Sequence, residues 1–101
     1  MKYARVLDIE NTDMSRYRKV WDAVGSEPVE GLIVRAAGPT AHGIRIITVW
    51  ASRADEERFA AERLQSAYDA VPEAGRSARS QEDLDVEDLV LELAAEPQRR
   101  F

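Results

Sequence analysis

The stretch from Gly43 to Tyr68, GIRIITVWASRADEERFAAERLQSAY, constrains this chain more than any other part of it. The apolar, β-branched run from Ile44 to Trp50 predicts a strand. Ser52 then stands where a helix N-cap belongs, with Asp55 placed to complete a capping box. A strand therefore passes directly into a helix. That helix is expected to run to about Ala70, with Ala60, Leu64, Ala67, Tyr68 and Val71 on its inner stripe and Phe59 at the stripe's edge, before Pro72 and Gly75 stop it.

The residues ahead of this unit supply a strand, a helix and another strand. Lys2 to Ile9 alternates, with Tyr3, Arg5, Leu7 and Ile9 on one face and Ala4, Val6 and Asp8 on the other. Asn11, Thr12 and Asp13 are cap-type residues before an amphipathic helix whose apolar positions are Met14, Tyr17, Val20, Trp21 and Val24; Gly25 and Pro28 end it. Gly31 to Ala37 is short, β-branched and bounded by turn residues, and Gly38 to Gly43 joins it to the next strand as a hairpin. In that strand Ile44, Ile46, Thr48 and Trp50 face one way and Arg45, Ile47 and Val49 the other, while the second strand sets Leu32, Val34 and Ala36 against Ile33, Arg35 and Ala37.

Downstream, Arg76 to Gln81 is polar and reads as a loop. A fourth, acidic strand is expected from Leu84, Val86, Leu89, Val90, Leu91 and Leu93. Residues 1–93 make one domain, and Ala94 to Phe101 a charged tail.

The order strand, helix, strand, strand, helix, strand is the ferredoxin-like βαββαβ arrangement, an α+β fold with a four-stranded antiparallel sheet and two helices on one face. Apolar residues occur on both faces of these strands, so the face without helices is expected to be covered by a second copy of the same sheet in a homodimer.

The totals narrow the function classes. A net charge of −5 argues against nucleic acid as a partner, because phosphate contacts need clustered Lys and Arg in excess. With no cysteine there is no disulfide, thiolate metal site or cysteine nucleophile. The opening MKYARVLDIEN has no signal-type apolar region and no run is long enough to span a bilayer, so a cytoplasmic protein with no membrane partner is expected.

The segment VWASRADEERFAAERL resembles the strand-to-helix signature of the dimeric α+β barrel superfamily, in particular the antibiotic-biosynthesis-monooxygenase-like domains. Trp50, Ser52, Phe59 and Leu64 stand at positions matching the strand-ending Trp, the helix cap, the aromatic and the Leu of that pattern. MKYARVLDIEN, GLIVRAAGPT and LDVEDLV fit the same layout. The resemblance implies a dimeric barrel and, for some of its members, cofactor-independent monooxygenation of a small aromatic compound held between helices and sheet. Two residues depart from the pattern: Glu56, where relatives often place an aromatic residue, and Glu87 in the expected last strand, where some relatives carry a polar ring. The haem-degrading branch needs a His on or near the second helix, which has none, and no haem, flavin or other cofactor is expected.

Six residues are the candidate ligand contacts: Tyr17, Trp21, Trp50, Glu56, Phe59 and Tyr68. The plainer assignment makes their rings the core of a small domain; the other makes them the walls of a pocket for a small aromatic ligand. Asp8 and Glu56 are the acids expected to be partly buried, and a buried acid with a raised pKa is a base suited to a phenol. Strand arginines Arg5, Arg35 and Arg45 are expected at the sheet rim or paired with carboxylates. Glu56, Glu57, Arg58, Glu62 and Arg63 read as an exposed helix flank of ion pairs four apart. His42, the single histidine, lies in the hairpin turn as a solvated residue, and no metal site is expected. Two functions lead: a monooxygenase-like enzyme of a small aromatic compound, or a non-catalytic dimerisation or small-molecule-binding module, with haem or flavin binding a third, weaker alternative.

Overall fold

The computed structural model describes residues 1–72 and 78–92, with no account of the side chains of residues 78 and 79. Strand β1 (Lys2–Glu10) leads to helix α1 (Met14–Val24), hairpin strands β2 (Leu32–Pro39) and β3 (Gly43–Trp50), a second helical rod, and strand β4 (Ala78–Val86). The sheet is antiparallel with order β2-β3-β1-β4, so the first strand lies inside it and the hairpin returns beside it. This is the expected ferredoxin-like α+β fold.

Local chemistry sets each boundary. Asp13 caps α1 by accepting the Arg16 N–H at 2.9 Å. Gly25 ends it with φ 100°, and its N–H returns to the Trp21 and Asp22 carbonyls. Ser52 accepts the Asp55 N–H at 3.2 Å and donates its own hydroxyl to the Asp55 carboxylate at 2.9 Å. The strand-to-helix switch is thus closed by its first turn.

The second rod departs from the simple periodic reading. It comprises α2 (Arg53–Phe59), a π-helical turn over Ala60–Leu64 and α3 (Gln65–Ala70). In the wide turn the Gln65 N–H reaches back to the Ala60 carbonyl. The extra residue lets both Phe59 and Leu64 face inward, so Phe59 is buried while Ala60 is only half-buried. A regular helix would have kept Ala60 and Leu64 in register and left Phe59 at the edge.

Three further expectations are corrected. The fourth strand lies earlier than the apolar residues suggest: Ala78–Val86 pairs with β1 from Ile9 back to Lys2, taking in part of the segment read as a loop. Backbone pairing needs no apolar side chain, and a polar, acidic sequence suits an edge strand. Val90 and Leu91, expected within that strand, lie outside it and are exposed, while Leu93 and the tail 94–101 fall outside the described residues. In β2 a bulge between Leu32 and Val34 breaks the alternation, so Leu32 pairs with Trp50 and packs on the helix side while Val34 pairs with Val49 on the other. Arg63 forms no ion pair along its own helix. It donates instead to the carbonyls of Val24, Glu27 and Pro28 and so satisfies the end of α1.

Between sheet and helices the core falls into three patches. Tyr3, Trp50 and Phe59 form one, Ile9, Tyr17 and Ile44 a second, and Val20, Ala67 and Val71 a third between the helices. The opposite face of the sheet carries Ala4, Val6, Val34, Ala36, Ile47, Val49 and Leu84, with Ile47 and Leu84 exposed.

Candidate functional site

Where the patches meet, the interior is not completely filled. A cavity of about 80 Å³, partly open to solvent, lies between the inner face of β1 and β3 and the two helical rods. Its walls include all six candidate residues: Tyr17 and Trp21 from α1, Trp50 from the end of β3, Glu56 and Phe59 from α2 and Tyr68 from α3. The sequence thus points to one place.

Four of the rings form a continuous series. Tyr17 and Trp21 have centroids 6.4 Å apart, Trp21 stacks on Phe59 at 5.4 Å and 14°, and Phe59 meets Trp50 at 5.5 Å and 40°. The helical spacing of Tyr17 and Trp21 makes the first contact. The π-turn makes the others, because it keeps Phe59 inward. Trp50 is only 2% exposed, and its indole N–H is a buried side-chain donor with no hydrogen-bond partner among the described residues. Such a group is costly to leave unpaired and therefore calls for an explanation.

At one end of the ring series lies an ion cluster. Arg5, on the inner face of β1, donates from Nη1 to Glu56 at 2.9 Å, from Nε to Asp83 at 3.0 Å and from Nη2 to the Tyr3 hydroxyl at 2.7 Å. Glu56 is 6% exposed, and both Arg5 and Glu56 line the cavity. Burial pushes the Glu56 carboxyl above its ordinary value, opposed by the Arg5 charge. Asp83 responds in the other direction: burial tends to raise it, but hydrogen bonds from Arg5 and Tyr3 hold it below its ordinary range. Burial also raises the Tyr3 hydroxyl, aided by its hydrogen bond to Asp83. Asp8, the other acid expected to be partly buried, lies on the far face of the sheet, paired with Arg45 at 2.7 Å.

Sequence reasoning missed two parts of this site. Arg5 and Thr48 both line the cavity, and the alternation that turned Tyr3, Leu7 and Ile9 inward already placed Arg5 among them. Arg35 lies exposed on the edge strand, as expected of a rim arginine, but it takes no carboxylate among the described residues. Its guanidinium carbon sits 3.8 Å from the centroid of Trp21, and Nη1 donates to the Tyr17 hydroxyl at 2.5 Å. His42 is exposed in the hairpin turn, as read from the sequence. Among the described residues no three His, Cys, Asp or Glu side chains are grouped to hold a metal ion, and no helix is long and apolar enough to cross a membrane.

This geometry can be compared with known proteins. No protein-family model matches the chain, and no curated protein sequence matches it. Solved structures do. A candidate antibiotic biosynthesis monooxygenase from Chloroflexus aurantiacus superposes with a TM-score of 0.66 at 13% identity, covering 89% of this chain and 98% of its own. The chain has the fold of the antibiotic-biosynthesis-monooxygenase-like domains. A candidate of the same type from Deinococcus radiodurans gives a TM-score of 0.57 at 13% identity, covering 90% of this chain and 97% of its own. The protein YjcS gives 0.55 at 14% identity over 85% and 98%. At such identities the shared property with these monooxygenase-like domains is the fold.

Proposed function

We propose that this monooxygenase-like domain is a cytoplasmic homodimer that oxidises a small aromatic compound in the cavity between helices and sheet, without a bound cofactor. The observation that carries the reading is the buried Glu56 carboxylate set into a wall of aromatic rings. A phenol seated against those rings loses its proton to Glu56, whose burial makes it a better acceptor than a free glutamate. The electron-rich phenolate then reacts with dioxygen: a ring C–O bond forms, the C–H bond at that carbon and the O–O bond break, and the second oxygen atom leaves as water with that proton and the phenolic proton returned by Glu56, leaving a quinone. The substrate supplies both electron pairs, so no separate reductant is required. The unpartnered Trp50 indole N–H is suited to an acceptor oxygen on the bound ring. The dimer is supported by the apolar side chains on the sheet face that carries no helices.

The size of the cavity favours the second reading, a non-catalytic dimerisation module in which the rings are mainly packing. At about 80 Å³ it is well below the roughly 300–1,000 Å³ usual for small-molecule sites. The test is oxygen uptake with small phenols in air. One O₂ consumed per quinone formed, with a rate that falls at least about tenfold in a folded Glu56→Gln variant, supports the enzyme. No oxygen uptake by the folded wild type identifies the non-catalytic module, and saturable phenol binding then separates a binding module from a purely dimerising one.

A further inference from the structure

Arg35 projects from the edge strand β2 on the helix side of the sheet, opposite Thr48, and lies exposed against the cavity-lining residues Tyr17 and Trp21 without lining the cavity itself. Its guanidinium carbon is 3.8 Å from the Trp21 centroid and 5.6 Å from that of Tyr17, and its Nη1 donates to the Tyr17 hydroxyl. Arg5, Arg45 and Arg58 each hold a carboxylate. Among the described residues Arg35 pairs with none.

From this we infer that Arg35 is an anion subsite at the rim of the cavity, and that the ring compound it takes carries a carboxylate; the inference rests on the ring-binding reading above. Three arguments converge. A guanidinium presents five N–H donors in a planar fork, and the Tyr17 hydroxyl occupies Nη1 alone. Stacking on Trp21 and the bond to Tyr17 hold that fork in place beforehand, which lowers the ordering cost of binding. The third argument is size. A fully enclosed benzene needs a cavity of roughly 150 Å³, and this one offers about 80 Å³. A bound ring therefore cannot be wholly enclosed, and a substituent projecting past Tyr17 and Trp21 meets the exposed guanidinium of Arg35 that rests on them. The chain as a whole is acidic, with a net charge of −5, so a preference for an anion has to originate in such a local cation.

The test compares benzoate with its neutral isostere benzamide by quenching of tryptophan fluorescence, since both tryptophans line the cavity. The wild-type protein binds benzoate about tenfold more tightly, as expected for a charge-assisted pair at a partly exposed site. Arg35→Gln brings the two ligands to parity while changing benzamide affinity by less than about twofold, and Arg35→Lys recovers part of the preference. The preference in the wild-type protein also shrinks as salt rises from about 20 mM to about 500 mM, a readout that needs no variant. Equal affinities in the wild type, a preference unaffected by salt, or one that survives Arg35→Gln overturns the subsite and leaves the cavity reading standing. If neither ligand binds at about 10 mM, where even millimolar affinity would be seen, the ring site falls and the subsite with it.

Discussion

Arg5 Nη1 lies 2.9 Å from Glu56 Oε2, tying an interior strand of the sheet to the first turns of the second helical rod at the wall of the cavity. The two side chains differ in exposure: 24% for Arg5 and 8% for Glu56. The carboxylate therefore bears most of the desolvation, and the arginine only part of it.

The pH dependence of stability follows from that asymmetry. Glu56 has its folded-state pKa raised above the ordinary 4.5, so its contribution is fully present below that value and is lost as pH rises through the higher folded value. Asp83 has its folded pKa lowered from 3.8, so its contribution is present above that value and is lost as pH falls. Glu56→Gln abolishes the first effect alone. Thermal melts from about pH 4 to about pH 8 should show variant and wild type coinciding at the acid end, with the variant becoming the more stable as pH rises. A variant markedly less stable at neutral pH would mean that the ion pair outweighs the burial of Glu56.

Removing the arginine should have the opposite effect. Arg5→Met leaves Glu56 buried without its counter-charge and should cost about 2 kcal/mol at neutral pH, less than the 3–5 kcal/mol of a fully buried pair because Arg5 is partly solvated. In the double variant with Glu56→Gln most of that loss should disappear. Denaturant titrations of all four proteins give the coupling directly, and additive losses would show that the two groups act independently.

On the bare face of the sheet, Ile47 is 40% exposed and Leu84 53%. If a second sheet covers this face, Ile47→Asp places a charge in the interface and should convert a dimer into a folded monomer in sedimentation experiments. A wild-type protein that already sediments as a single chain at micromolar concentration and melts cooperatively would dismiss the dimer.

Much of this architecture was legible in the sequence because period and capping chemistry act locally. The alternation in β1 and β3 fixed which side chains face the helices, and Asp13 and Ser52 marked both helix starts. The six candidate residues gather because strand parity and helical spacing turn them toward a common space. What escaped was set by tertiary structure. The π-turn at Ala60–Leu64 exchanges Ala60 for Phe59 on the inner side, and no residue type announces it. The β2 bulge moves Leu32 to the helix face by one extra residue. Strand β4 is chosen by pairing with the free edge of β1, which its polar residues permit, whereas the more apolar stretch after it attracted the prediction. Arg35 was read as an ordinary strand arginine because its partners, Tyr17 and Trp21, come from a different element.

The most direct test of the account is the indole N–H resonance of Trp50, assigned by its loss in Trp50→Phe and followed by NMR while a small phenol is added. Trp50 lines the cavity and its N–H has no protein partner among the described residues, so a ring bearing an acceptor oxygen should shift that resonance saturably, together with the amides of Thr48 and Phe59. A Trp50 indole that does not move up to about 10 mM ligand, the range of millimolar affinity, or shifts confined to the face of Ile47 and Leu84, would contradict it.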